Sequence, residues 1–296
     1  MSRPLVQTRQ LGDFRIHALD GGSQRLDGGA MFGVVPKPLW EKRIAADERN
    51  RIPLAMRCLL VETGGALVLI DDGAGNKEDD RFQGIYGLDN AASDPARWPT
   101  RVEEALAQLG FTADDVDIVL DTHLHFDHAG GNTRRAGDGG IELSFPRARY
   151  MTQRGELEWS RIRNERIQAS YLAHNFEPVV QAGRMDLIDG DVEIVPGISV
   201  MRTPGHTPHH QSVVITSAGE TACFLADVVP TSAHLPLPWI MGYDVEPLVT
   251  LESKRTLLAR AREEQWLLVF EHDPLVPWGR LDRAQKKPVL VEDAGP

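Results

Sequence analysis

Three histidines and one aspartate lie within six residues of the segment Thr122–Gly131, which we name the metal loop. They are His123, His125, Asp127 and His128, and they follow the apolar run 116–120. Imidazole nitrogens and carboxylate oxygens are the ligands that Zn²⁺ and related divalent metals prefer. A strand that ends at Asp121 and then turns would bring these side chains together. The pattern predicts the first half of a binuclear metal site, and the alternative is a polar surface loop that is rich in histidine.

Three more ligand-type side chains stand at the ends of apolar segments later in the chain, at His206, Asp227 and His272. An unpaired carboxylate at the end of a buried strand is costly, and a metal ion would remove that cost. Each residue alone would more often be a core or turn residue. Together with the metal loop, they predict the ligands that complete two metal sites. Asp71, at the end of another apolar run, is expected to hydrogen-bond a ligand rather than to bind metal.

The surrounding pattern predicts an α/β protein. Residues 4–20 predict two strands around a turn, and residues 55–63 and 66–72 predict a hairpin. Thr100–Glu103 has the pattern of a capping box that starts a helix ending near Gly110. The second half repeats the strands and adds an amphipathic helix over residues 247–264. Two such units predict a four-layered αββα sandwich, with residues 1–296 as a single domain.

Two segments are harder to interpret. Gly21–Trp40 is rich in glycine and proline and predicts irregular structure, yet it carries large apolar side chains. Long ordered loops usually serve a site, so we expect an active-site wall or lid, and the alternative is a connector packed on the core or on a partner subunit. Residues 163–182 predict a mostly helical excursion with large side chains.

Composition excludes several classes of protein. The net charge of −11, from 32 Lys and Arg against 43 Asp and Glu, disfavours nucleic acid as a partner. The two cysteines, Cys58 and Cys223, lie inside apolar runs and are expected to be buried and reduced. The sequence has neither a signal-peptide pattern at Met1–Gln7 nor an apolar stretch that could span a membrane. We therefore expect a cytoplasmic protein with no membrane partner.

The motif set resembles the metallo-β-lactamase-fold hydrolases, from about residue 10 to residue 282. The resemblance rests on His-x-His-x-Asp-His, then Pro-Gly-His, then a strand-terminal Asp and a late His. It implies the metallo-β-lactamase fold and two divalent metal ions, zinc first, with Mn, Co or Fe as alternatives. One ion would take His123, His125 and His206, and the other would take Asp127, His128 and His272. Asp227 would bridge both.

Within this family the chain is most similar to the quorum-quenching N-acyl-homoserine-lactone lactonases, in particular the YtnP-like group. That likeness implies hydrolysis of a lactone, by attack of a hydroxide that bridges the two metals, with Asp127 transferring a proton to the leaving alkoxide. Organophosphate and aryl-ester hydrolases of the methyl parathion hydrolase type resemble the chain with the same ligands. A di-iron redox protein is disfavoured, because the flavo-diiron family has Glu at the position of His125.

The substrate pocket is less well specified. The lactonases carry a Tyr three residues after the bridging Asp, and this chain has Pro230 there, so His234 or Tyr243 is a candidate replacement. Further apolar candidates for an acyl-tail pocket are Met31, Phe32, Leu124, Trp239 and Ile240, which could equally be packing residues. The expected partner is a small lactone or ester. The apolar loops 31–40 and 235–241 fit either a homodimer or buried walls.

Overall fold

A computed structural model describes residues 3–285 and 287–291 of the chain. Within these residues, sixteen strands form two seven-stranded sheets and a two-stranded sheet, which confirms the predicted α/β class. The strands are β1 (Val6–Leu11), β2 (Phe14–Asp27), β3 (Arg51–Glu62), β4 (Leu67–Ile70), β5 (Ile118–Leu120), β6 (Thr133–Arg135), β7 (Ile141–Leu143), β8 (Arg149–Gln153), β9 (Met185–Ile188), β10 (Glu193–Val195), β11 (Ile198–Arg202), β12 (Gln211–Ser217), β13 (Glu220–Phe224), β14 (Leu267–Val269), β15 (Trp278–Leu281) and β16 (Leu290–Val291). The helices are α1 (Gly28–Phe32), α2 (Lys37–Trp40), α3 (Asp80–Tyr86), α4 (Arg101–Gln108), α5 (Arg154–Ser160), α6 (Ala173–Gln181) and α7 (Pro247–Glu263).

The chain divides into two compact units. The first unit comprises the described residues up to Ser23 together with Met56–Asp189, and the second comprises Gln24–Ala55 and the described residues from Gly190 onward. Each has its own apolar core. Leu60, Val119 and Tyr150 are central in the first, and Leu225, Trp266 and Phe270 in the second. The single domain predicted over residues 1–296 stays a prediction.

In the first unit, the sheet directs three segments to one edge. The sheet order is β1-β2-β3-β4-β5-β8-β9, and the pairs β4–β5, β5–β8 and β8–β9 are parallel. Parallel neighbours end at the same edge of a sheet, where ligands of open α/β sheets commonly bind. Asp71 follows β4, the metal loop begins two residues after β5, and α5 follows β8. The strand order therefore places these three segments side by side.

The sheet of the second unit also brings the ends of several strands to one edge. Its sheet order is β10-β11-β12-β13-β14-β15-β16; β13 and β14 are parallel, while β12 pairs antiparallel with both β11 and β13. β11, β13 and β14 thus run in one direction, and their carboxyl ends precede His206, Asp227 and His272. The predicted strand-end positions of these three residues are confirmed.

Several local predictions are confirmed. Thr100 Oγ1 accepts a hydrogen bond from the amide of Glu103, and the Glu103 carboxylate accepts one from the amide of Thr100, which forms the capping box. The hairpin at residues 55–72 forms between β3 and β4. Cys58 and Cys223 are both buried thiols. Among the described residues, we find no helix with the length and apolar character needed to cross a membrane.

The prediction of irregular structure from Gly21 to Trp40 is wrong. β2 continues through this segment to Asp27, and α1 and α2 follow. Gly21 serves close packing rather than a turn, because a Cβ there would lie 2.8 Å from the carbonyl oxygen of Met56. Asp27 begins α1 by accepting a hydrogen bond from the Ala30 amide. At Gly21, the missing side chain therefore permits a close contact within a strand, and it does not mark a break in regular structure.

The predicted helical excursion over residues 163–182 is only partly correct. Helix α6 covers Ala173–Gln181, whereas residues 163–172 contain turns and no helix. The large side chains that suggested a helix instead fill the interior, since Ile167 and Tyr171 are buried. Burial in a non-helical segment gives the same composition as a helix face, so composition alone could not separate them.

Candidate functional site

The metal loop folds its four ligand-type residues together within the first unit. His123 Nε2 lies 3.0 Å from His125 Nδ1, and the rings of His123 and His128 have centroids 3.9 Å apart. Asp127 Oδ1 lies 3.8 Å from His128 Nε2. Three of the four residues are buried and His125 is half-buried. Lone pairs of imidazole and carboxylate that converge in a buried place form a donor set that suits a divalent metal.

Asp71 holds the start and the end of this loop. Its carboxylate accepts hydrogen bonds from the amide of Thr122 at 2.7 Å and from the Thr122 hydroxyl at 2.7 Å. Its Oδ2 atom also lies 3.0 Å from Nδ1 of His128. A carboxylate that accepts from Nδ1 favours the tautomer in which Nε2 carries a lone pair, which is the form that binds metal. The backbone of Asp71 has φ of +51°, a left-handed conformation that is costly for a non-glycine residue and fixes the direction of the side chain.

The second unit brings its three ligand-type residues together around one carboxylate. Asp227 Oδ2 lies 3.0 Å from His206 Nε2, and Asp227 Oδ1 lies 3.0 Å from His272 Nε2. All three side chains are buried. Ala226, directly before the carboxylate, has φ of +47°. One buried carboxylate thus faces two imidazoles through its two different oxygens.

A hydrogen bond at Nδ1 fixes each of the two imidazoles. His206 Nδ1 lies 2.9 Å from Asp244 Oδ1, and His272 Nδ1 lies 2.7 Å from the carbonyl oxygen of Ala55. Because a carboxylate or carbonyl can only accept, the Nδ1 atom of each ring carries a proton. The Nε2 atom of each ring faces the Asp227 carboxylate, and it is the atom that would bind a metal ion in place of a proton. Asp244 was not predicted from the sequence, because it lies 38 residues after His206 and follows no pattern that marks a ligand partner.

Gly205 permits the turn that aims His206. Its φ of +132° suits glycine, and a Cβ would lie 2.2 Å from the backbone nitrogen of Thr250. The turn is closed further by His210, whose Nδ1 lies 2.9 Å from the hydroxyl of Thr203 and whose Nε2 accepts from the Asp227 amide at 3.1 Å. His210 therefore positions the carboxylate, a role that the sequence reasoning left unassigned.

The electrostatics of the second unit favour positive charge at His206. Burial opposes protonation of this imidazole, but the carboxylates of Asp227 and Asp244 outweigh burial and raise its pKa to about 10. The same negative charge would stabilise a metal cation in place of the proton. Within the second unit, His206 and Asp227 offer ligand atoms within 4.8 Å of one another, as His123 and His125 do in the first. Each unit thus has groups able to hold a metal ion.

Two of the substrate-pocket candidates in the second unit, His234 and Trp239, contact the ring of Phe32. Phe32 stacks on the ring of His234 at 4.4 Å and meets Trp239 edge-on at 5.7 Å. Burial lowers the pKa of His234 to about 3, so its ring is neutral: Nε2 donates to the carbonyl oxygen of Met31, and Nδ1 accepts from Thr231. Met31, Phe32 and His234 are buried, Trp239 is half-buried and Tyr243 is exposed. Their contact with a substrate stays a prediction.

Comparisons with known proteins identify the family of this chain. The profile of the Metallo-beta-lactamase superfamily matches residues 53–272. An N-acyl homoserine lactonase of Bacillus thuringiensis is 30% identical over 228 residues, which are 74% of this chain and 82% of that protein. A probable metal-dependent hydrolase from Staphylococcus aureus has a solved structure with 32% identity and a TM-score of 0.85, over 96% of this chain and 99% of its own.

A more distant structure supports the fold alone. AidC, described as a dizinc quorum-quenching lactonase in complex with a product, is 20% identical, with a TM-score of 0.79 over 98% of this chain and 97% of its own. The family profile and these structural neighbours confirm the predicted metallo-β-lactamase fold. The predicted class of enzyme is confirmed as well. The chain is a hydrolase and belongs to the metallo-β-lactamase superfamily.

Proposed function

We propose that this hydrolase is a binuclear metalloenzyme that opens the ring of N-acyl-homoserine lactones. The observation that carries the proposal is Asp227, whose two oxygens each lie 3.0 Å from Nε2 of a different histidine, His206 or His272. A carboxylate whose two oxygens each face an imidazole nitrogen is a donor set that would suit divalent metal ions. The choice of substrate is supported by the Bacillus thuringiensis relative, which is named as an N-acyl homoserine lactonase.

The proposed ligand set is the one that the family resemblance implies. One ion would be held by His123, His125 and His206, the other by Asp127, His128 and His272, with Asp227 between them. Support comes from the buried donor sets within each unit and from the anchoring of Nδ1 in three of the histidines. Zinc is the metal that such nitrogen and carboxylate donors favour, and Mn, Co or Fe would accept the same donors.

The chemistry follows from this donor set. When bound, two divalent ions lower the pKa of a water molecule towards ~7 and polarise a carbonyl group. The oxygen of water forms a bond to the lactone carbonyl carbon, and the bond from that carbon to the ring oxygen breaks. Asp127 would carry the proton from the attacking water to the departing ring oxygen. The product is an N-acyl-homoserine carboxylate, and one proton is released to solvent.

The pocket for the acyl chain is proposed from the candidates in the second unit. Trp239 and Tyr243 retain exposed surface and would contact the chain directly. Met31, Phe32 and His234 are buried, so we infer that they pack beneath the pocket and support its exposed residues, with Phe32 stacked on His234.

Two accompanying expectations stay predictions. A cytoplasmic location follows from the sequence pattern alone. A homodimer follows from the apolar segments 31–40 and 235–241, in which Val34 is 91% exposed and Leu39 is 50% exposed.

A panel of substrates tests the proposed reaction. Zinc-loaded protein would be given N-acyl-homoserine lactones of several chain lengths, an aryl ester and a phosphotriester, and kcat/KM would be measured for each. The proposal expects the highest kcat/KM for a lactone, with the ring-opened acid as the product seen by mass spectrometry. A higher kcat/KM for the phosphotriester or the aryl ester would overturn the substrate assignment and favour the organophosphate or aryl-ester alternative.

A further inference from the structure

A buried carboxylate beneath the metal loop has no role in the reaction described above. Glu156 lies on α5, directly after β8, and its side chain is completely buried. Burying a carboxylate is unfavourable unless hydrogen bonds compensate for the lost water. Glu156 Oε1 accepts one from the backbone amide of Leu124 at 3.1 Å and one from the hydroxyl of Tyr171 at 2.7 Å. Two hydrogen bonds to the metal loop and to Tyr171 thus accompany the burial of this side chain.

The first contact fixes the backbone between two proposed ligands. Leu124 is the central residue of His123-Leu124-His125, and its own side chain is buried. Its amide lies in the peptide plane that joins His123 to Leu124, and the next peptide bond leads to His125, so an anchor on this amide restricts the backbone beside both histidines. A hydrogen bond from a backbone amide has a preferred angle at the donor, so it fixes the orientation of this peptide plane. Glu156 thus holds the loop where a small rotation would move both imidazoles.

The second contact extends this support to an imidazole ring. The ring of Tyr171 packs against that of His125, with centroids 4.6 Å apart and an angle of 62° between the planes. The Tyr171 hydroxyl is fixed by Glu156, so the tyrosine ring cannot turn away from His125 without breaking that hydrogen bond. The backbone of this segment is also tied to the loop, because the Phe126 amide donates to the carbonyl oxygen of Ser170 at 2.9 Å.

We infer that Glu156 and Tyr171 form a positioning pair that presets His123 and His125 for metal binding. The inference rests on the proposed function, in which these histidines bind a metal ion. Partners of metal ligands typically change metal affinity by ~10–100-fold when they are replaced. The pair acts on the geometry of the ligands and touches neither substrate nor the reacting atoms.

Metal binding tests the pair without reference to any substrate. Zinc affinity would be measured by competition with a chromophoric chelator, and ligand geometry by the visible absorption of the Co²⁺-loaded protein. Tyr171→Phe and Glu156→Ala should each weaken zinc binding by about 10–100-fold and shift the Co²⁺ bands. Glu156→Gln keeps an acceptor oxygen and should recover most of the affinity lost in Glu156→Ala. Glu158→Gln, an exposed position on the same helix, should match the wild type.

The outcomes separate the pair from the proposed function. If the wild type binds two ions and the affinity and Co²⁺ spectrum of Tyr171→Phe are unchanged, the positioning role is refuted and the metal site stands. If the wild type binds no metal, the proposed function fails and takes this inference with it. If Glu156→Ala does not fold, Tyr171→Phe decides alone, because it removes a single hydroxyl and leaves the ring that packs on His125.

Discussion

Replacement of Asp71 by Asn would change the protonation of a proposed ligand while keeping the shape of the site. Asp71 accepts from the amide and the hydroxyl of Thr122 and contacts Nδ1 of His128 at 3.0 Å. If the amide oxygen of Asn keeps the bond from the Thr122 amide, its NH₂ group faces His128 Nδ1. Two donors cannot share that contact, so the His128 proton would move to Nε2. Nε2 is the atom proposed to bind metal, so the substitution blocks the ligand.

The size of the effect follows from this change of tautomer. Replacing a partner that orients a metal ligand typically costs ~10–100-fold in metal affinity. At about 1.36 kcal/mol for each factor of ten, the loss is about 1.4–2.7 kcal/mol of binding free energy. The hydrogen bonds to Thr122 can survive in part. The substitution should therefore reduce the stability of the metal-free protein less than that of the metal-loaded protein. The asymmetry between the two forms identifies the ligand effect.

Two measurements on Asp71→Asn check this reasoning. Zinc affinity is determined by competition with a chelator, and thermal unfolding is followed with and without zinc. Asp114→Asn, an exposed position in the same unit, is the control and should leave both unchanged. Zinc affinity equal to the wild type would refute the argument. So would a loss of stability of equal size with and without metal, since that would mark a general structural defect.

Three further substitutions have defined outcomes. Asp127→Asn should lower kcat for lactone hydrolysis by about 10²–10⁴-fold, the usual contribution of a proton-transferring group, and a loss confined to KM would contradict the role. Lys254 is buried and donates to the carbonyl oxygens of Pro236 and Trp239, and burial lowers its pKa to about 7 against the opposing effect of Asp244. Between pH about 7 and about 10.4 the unfolded chain binds a proton that the folded chain has lost. The wild type should therefore gain unfolding free energy relative to Lys254→Met as pH rises through that window, and a pH-independent difference would contradict the lowered pKa. Thr100→Ala removes the capping box of α4 and should cost about 0.5–2 kcal/mol in urea unfolding with zinc affinity unchanged, and a change in zinc affinity would count against a purely local effect.

The strand-end positions of the ligand-type residues were predictable because two strong local signals coincide there. Apolar runs mark buried strands, and polar ligand types directly after them mark the edge of a sheet. His123, Asp227 and His272 follow such runs, and their strands end at shared sheet edges in the respective units. The capping box at Thr100 was predictable for a similar reason, since its pattern is complete within four residues.

The residues that hold the ligands were not predictable in the same way. Asp244 reaches His206 across 38 residues, and Glu156 reaches Leu124 across 32. Neither stands in a pattern that marks it, because their roles depend on which strands are neighbours in the sheet. The glycines of β2 were misread for a related reason. A glycine that allows a turn and a glycine that allows close packing look the same in sequence.

The central claim is that the lactone ring opens only when two metal ions are held by the proposed ligands. The most direct test starts from metal-stripped protein, adds zinc in steps, and measures proton release from an N-acyl-homoserine lactone together with bound zinc. We predict no proton release from the stripped protein and full activity at two ions per chain. Proton release from the stripped protein, or none from protein that has bound two ions, would contradict the claim.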